Sequence, residues 1–176
     1  MRVIAGQLGG RLFDSPGTFR THPMSDKARG ALFSMLGDIE GLTVLDAFAG
    51  TGALSFEAIS RGASSALTID HDKQAQKTIA GNICALGLEH SVKLIRASTR
   101  AWLATNPGKK FDLVLCDPPY NDLQPNLLAQ LSDCVKPGGT FVLSWPGGHR
   151  LPDFEVLDML EARSHGDIKL VFYRPQ

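Results

Sequence analysis

Hydrophobic positions along the chain recur in two periods, and the two periods alternate. Short, nearly continuous apolar runs over residues 43–46, 65–69, 92–95, 111–116 and 140–145 have strand length and the Val, Leu and Ile content of buried strands. Between them, over residues 53–61, 73–86, 99–105 and 123–135, apolar residues return every three or four positions, which predicts helices. Residues 154–163 and 167–174 instead alternate strictly and meet at His165-Gly166, the pattern of an antiparallel pair at a sheet edge. Strand and helix alternating with short links predict a doubly wound α/β fold. Its sheet has seven strands, mostly parallel, with an antiparallel C-terminal edge strand.

The first 37 residues of the chain follow another rule. Residues 1–8 and 11–15 are strand-like around Gly9-Gly10, which predicts a β-hairpin carrying Arg2 and Arg11. A Pro16-Gly17 turn and a basic segment through Arg20 and His22 follow. Ser25 is a good N-cap; Ala28, Ala31, Leu32, Met35 and Leu36 then recur at helical spacing until Gly37, which places Lys27 and Arg29 on or near the wet face. The chain thus divides into a basic extension, residues 1–24, and an α/β domain, residues 25–176.

Composition changes this picture little, but charge sharpens it. With 176 residues and 43% hydrophobic content, one substantial core is expected. Eighteen basic and eighteen acidic side chains cancel, yet residues 1–36 carry five Lys/Arg against two acids. Arg2, Arg11, Arg20, Lys27 and Arg29 are therefore the candidate contacts to RNA phosphates. No apolar run approaches membrane-spanning length and no secretory segment is seen, so a cytoplasmic protein is expected. Cys84, Cys116 and Cys134 have no metal-ligand spacing and an odd count, and read as reduced core residues; no metal is expected.

The candidate chemistry lies at strand ends. Residues 111–116 stop at Asp117-Pro118-Pro119-Tyr120, a proline-stiffened corner that has lost two N–H donors. It offers a ligand acceptors, the Asp117 carboxylate and neighbouring carbonyls including that of Pro118, and it suits an amino group. Tyr120 adds a face on which a base can stack. The first strand of the alternating part ends in Asp46-Ala47-Phe48-Ala49-Gly50-Thr51-Gly52, where the two glycines permit a tight turn and close backbone approach. A dinucleotide fingerprint would place a third glycine at Ser55, so NAD is disfavoured; Asp46 suits a cationic group such as a methionine ammonium. Asp70, ending the next strand, stands where an acid binds ribose hydroxyls in Rossmann-like sheets. His71 could cover an adenine face, and Ser98 could meet the adenine edge or simply cap the helix that follows.

In this order, Asp46-x-Phe-x-Gly-x-Gly, Asp70 and Asp117-Pro-Pro-Tyr resemble class I S-adenosylmethionine-dependent methyltransferases that act on amino nitrogens of planar groups. The opening Met1-Arg2-Val3-Ile4-Ala5-Gly6, Gly10-Arg11, and Pro23-x-Ser25-Asp26-Lys27-x-Arg29-x-x-Leu32-Phe33 are similar to the bacterial 16S rRNA guanine-N2 methyltransferases acting on guanine 966. The resemblance implies S-adenosylmethionine bound by Asp46, Phe48, Gly50, Gly52, Asp70, His71 and Ser98, and catalysis at Asp117, Pro118 and Tyr120. It implies a 16S rRNA partner, within a small ribosomal subunit or an assembly intermediate, met by a monomer. Four positions depart from the family: His22 and Met24 replace Arg and Thr, Asp70 replaces Glu, and Ser98 replaces Asp or Asn. A DNA adenine-N6 or cytosine-N4 methyltransferase shares Asp-Pro-Pro-Tyr, but there is no insertion large enough for sequence readout. A non-catalytic module holding RNA or protein on the same fold is the third reading.

Overall fold

The computed structural model describes residues 1–17 and 23–176, so the expectations for Arg20 and His22 lie outside the described residues. Ser25 accepts the Ala28 N–H and starts helix α1, Asp26–Leu36, which stops at Gly37. Alternation then runs β1 Thr43–Asp46, α2 Ala53–Ser60, β2 Ser65–Asp70, α3 Lys73–Leu86, β3 Val92–Arg96, α4 Thr99–Thr105 and β4 Phe111–Cys116. It closes with α5 Pro125–Ser132, β5 Val135–Pro146, β6 Leu157–His165 and β7 Ile168–Pro175. The seven strands form one sheet in the order β3-β2-β1-β4-β5-β7-β6. The first five are parallel, and β7 and β6 add an antiparallel hairpin at one edge. The predicted architecture is therefore the observed one.

Alternating side chains of each strand feed two cores, one per face. Val44, Leu113, Leu115, Leu170 and Phe172 face a layer built with α1, α2 and α3. Leu45, Val114, Cys116, Val171 and Tyr173 face α4, α5 and the rings of Trp102, Phe141 and Phe154. Chain order reverses between β1 and β4. That pair is the switch point, and ligands bind beyond its carboxyl ends in sheets of this kind. No helix among the described residues is long and apolar enough to cross a membrane.

Four expectations need correction. The N-terminal hairpin is reduced to one antiparallel bridge, Arg2 to Leu12; Gly9-Gly10 does turn the chain, the Arg11 N–H donating to the Leu8 carbonyl at 3.0 Å, but residues 4–7 do not pair across it. Residues 4–8 peel away onto α2 instead: the Ile4 and Ala5 N–H groups donate to Glu57, and Gln7 and Leu8 donate to Ser60. Gly6 makes this possible, since a Cβ there would stand 1.8 Å from the Ser60 carbonyl oxygen. The second correction is Cys84, which is exposed on α3, whereas Cys116 and Cys134 are buried as expected. Third, β5 begins at Val135 and absorbs the Pro137-Gly138-Gly139 turn as a bulge against β4. Fourth, Phe154 is not in β6: its ring turns inward to meet Phe141 and Tyr173 at 5.3 and 5.0 Å, and the strand starts at Leu157.

Candidate active site

Register decides which side chains meet. Asp46 ends β1 opposite Thr68 of β2 and Leu115 of β4, so Asp46, Asp70 and Asp117 stand at the carboxyl ends of three adjacent strands. The Asp46 carboxylate is completely buried; one oxygen accepts the Ser55 hydroxyl at 2.8 Å, and Oδ1 has no partner. Ser55 in turn shares a 2.7 Å bond with Thr68. Burial pushes the Asp46 carboxyl up to about 7; Ser55 draws it down, and Asp117 and Asp70 add to the rise. A buried acid with an idle oxygen fits a cationic ligand group. Ser55, noted in the sequence only as a missing glycine, is the residue that aims Asp46.

Gly50 and Gly52 both hold positive φ, 54° and 78°. A Cβ on Gly52 would come within 2.6 Å of the Phe56 ring, so the turn that opens α2 requires glycine. Asp70 braces this turn, with Oδ2 accepting the Gly50 N–H at 2.7 Å and Oδ1 accepting that of Asp72 at 2.8 Å. Each oxygen keeps a lone pair for a ligand hydroxyl. Partial burial raises the Asp70 carboxyl, while those two amides draw it down. Phe48 is half-buried against the second core, and His71 is exposed at the mouth. Ser98 caps α4, its hydroxyl accepting the Ala101 N–H at 3.2 Å. The adjacent Thr99 hydroxyl donates to the Ala47 carbonyl and ties α4 to the end of β1.

The proline corner is built as the sequence suggests, with one addition. Asp117 is half-buried, Pro118 buried, and Pro119 and Tyr120 exposed. Burial pushes the Asp117 carboxyl up to about 6, against the downward pull of the Ser144 and Tyr120 hydroxyls. The Tyr120 hydroxyl lies 2.6 Å from that of Ser144, a buried residue of β5, while 39% of the residue stays exposed. Ser144 thus fixes the ring from its far end and leaves a face open. No motif betrayed it; only the β4–β5 register brings it here. Beyond the corner, Gln124 adopts φ 45°, a left-handed conformation uncommon outside glycine, and hands the chain to Pro125 at the start of α5.

The candidate RNA contacts divide. Lys27 is exposed. Arg2 is exposed but pairs with Asp26 at 3.0 Å, and Arg11 donates to the Ala85 and Leu86 carbonyls at the end of α3. Arg29 corrects the reading of a wet face: its side chain is fully buried and donates to Asp26 at 2.9 Å and the Arg2 carbonyl at 2.7 Å. The equally buried Glu57 stands 3.8 Å from it. An arginine so placed joins the N-terminal segment to α1 and α2 and is not available to phosphate. No group of three metal-ligating side chains is present among the described residues.

Comparison with known proteins places the chain among relatives. Two relatives, both named ribosomal RNA small subunit methyltransferase D, come from Buchnera aphidicola subsp. Acyrthosiphon pisum and Escherichia coli K12. They are 34% and 32% identical over 68% of this chain. The matched stretch spans 62% and 60% of their own lengths, less than two thirds. A solved Escherichia coli chain described as a candidate methyltransferase superposes with a TM-score of 0.90 at 25% identity, covering 100% of this chain and 98% of its own. The family described as "Conserved hypothetical protein 95" matches residues 1–174, and the chain belongs to that family.

Proposed function

We propose that the chain transfers a methyl group from S-adenosylmethionine to the exocyclic N2 amine of a guanine in 16S rRNA. The observation that carries this reading is the convergence of Asp46, Asp70 and the Asp117 corner at the switch point of the sheet. The names of the Buchnera and Escherichia coli relatives support ribosomal RNA as the substrate. The idle Asp46 oxygen fits the ammonium of the cofactor, and Asp70 fits its ribose hydroxyls. The Gly50–Gly52 turn would give close approach, His71 and Ser98 would meet the adenine, and Phe48 would line the same loop. When bound, S-adenosylmethionine supplies an electrophilic methyl on a sulfonium.

This chain's own residues address the other reactant. A guanine amine is a weak nucleophile because its lone pair is delocalised into the ring. Asp117 and the Pro118 carbonyl accept its two hydrogens and draw the nitrogen toward tetrahedral geometry, aiming the lone pair outward. As positive charge grows on that nitrogen, the Asp117 carboxylate faces it. Tyr120, held by Ser144, stacks on the base; such contacts contribute about 1–3 kcal/mol. A stacked target base must first leave its helix, so the nucleotide is unpaired or extruded. Arg2, Arg11 and Lys27 are the phosphate contacts on this side. The chain acts as a monomer on RNA within a small subunit or an assembly intermediate.

The test is to incubate the protein with methyl-labelled S-adenosylmethionine and naked 16S rRNA, small subunits or duplex DNA, then map the labelled atom. Label on guanine N2 of 16S rRNA is expected. Label confined to DNA, or on another base atom, overturns the reading.

A further inference from the structure

The amino ends of the strands, opposite the acidic edge, carry a feature that methyl transfer does not use. A cleft of about 810 Å³ opens there, floored by the first residues of β1 to β4. Lys93, Lys109, Lys110 and Lys136 line it together with His90 and Glu89. Lys136 is engaged: it donates to Asp112 at 2.9 Å, and with the Thr43 donors holds that carboxyl down at about 2. Lys136 and Asp112 thus offset each other's charge. Lys93 and Lys109 are exposed, with no side-chain hydrogen bond or ion pair among the described residues, and Lys110 reaches only the Val135 carbonyl at 3.4 Å. Three ammonium groups therefore share with one carboxylate, Glu89, a concave site of a chain whose charges sum to zero. Low-dielectric walls of one sign focus potential and concentrate anions.

We propose that this cleft is a second phosphate-binding site, which holds the backbone of an RNA segment other than the one carrying the target base. The inference rests on the reading of RNA as substrate. Its geometry follows from β4, whose six residues run from the cleft at Phe111 to the corner at Asp117. At about 3.3 Å per residue the two sites lie on the order of 20 Å apart, with the sheet and its helices between them. A short stem-loop engaged at Asp117 does not reach the cleft, whereas a long folded RNA does.

The experiment compares the full-length wild-type chain with a Lys93→Gln/Lys109→Gln/Lys110→Gln variant. RNA binding is measured across a salt series with a full-length 16S rRNA transcript and a short stem-loop, beside S-adenosylmethionine calorimetry and steady-state methyl transfer. For the long transcript, the slope of log K against log salt should fall by about 2, at roughly 0.7 per lost contact. KM should rise about tenfold or more, while kcat at saturating RNA, cofactor affinity and stem-loop binding stay as in the wild type. An unchanged slope in the variant, beside a wild type that binds and methylates RNA, overturns the cleft site alone. A wild type that neither binds nor methylates RNA overturns the functional reading and this inference with it. Inorganic tripolyphosphate is the third ligand: if the variant loses its binding but keeps the RNA slope, the cleft takes a free anion and the RNA assignment is wrong.

Discussion

Two buried acids on adjoining parts of this molecule are treated in opposite ways. Glu57 of α2 is saturated: it accepts the Ile4 and Ala5 N–H groups at 2.7 and 3.1 Å and the Arg61 guanidinium at 2.7 Å, with Arg29 close behind. Asp46, nine residues from Ser55 on the other side of the same helix, is given one hydroxyl and keeps an idle oxygen. The first arrangement joins an N-terminal segment to a domain. The second leaves acceptor capacity unused, which the proposed reading assigns to the cofactor ammonium, and burial has already raised its proton affinity. On that proposal, unused acceptor capacity in a dry site, rather than acidity, is what separates a binding carboxylate from a structural one.

The comparison can be broken in several places. Glu57→Ala leaves Arg29 and two backbone amides without their acceptor, and should lower stability by about 3–5 kcal/mol, read by denaturant unfolding. Asp117→Ala should slow methyl transfer by about 10² to 10³ while calorimetry finds cofactor binding largely intact. Loss of both together would remove Asp117 from its role. Asp46→Asn should weaken cofactor binding by about 10-fold or more, the loss of a charge-assisted contact. The same change should stabilise the free chain. Because the folded-state value of Asp46 stands near 7 against 3.8, the folded protein holds a proton that the unfolded chain gives up. Stability from that group is greatest below pH 4 and declines as pH rises to 7, so the gain from Asn appears above pH 7 as a higher Tm. The smallest effect is expected from Ser144→Ala, which frees the Tyr120 ring at a cost of about 0.5–1.5 kcal/mol in transition-state binding. It should raise KM for RNA and leave cofactor affinity alone, and Tyr120→Phe should add nothing further to it.

Much of the fold was legible because parallel strands buried on both faces must be continuous apolar runs, and helices between them must show their own period. Residues 73–86, 99–105 and 111–116 are read to the residue. The site was legible where local covalent constraint sets it, as in Asp117-Pro118-Pro119, and where an acid falls at a strand end. The N-terminal arm was not legible, because Gly9-Gly10 satisfies a hairpin pattern locally while Glu57 and Ser60, some fifty residues away, offer better partners to the same backbone. Arg29 was misread for a related reason: a charge at a helical position says nothing of whether an acid from another helix waits beneath it. Ser55, Thr68 and Ser144 carry small polar side chains that gain meaning only from register. The lysine cleft was hidden too, since its members come from four separate connections and strands and the chain as a whole is neutral.

The most direct test of the account is the pH dependence of single-turnover methyl transfer to 16S rRNA, at saturating cofactor, in the wild type and in Asp117→Asn. With the Asp117 carboxyl standing near 6, the wild-type rate should be level at pH 7 to 8 and fall tenfold per unit below about 6, as protonation removes an acceptor from the amine. The variant should be slow and insensitive over that range. A wild-type rate that stays level down to pH 5, or a variant that keeps the wild-type profile, would contradict the claim that the ionised corner carboxylate drives the reaction.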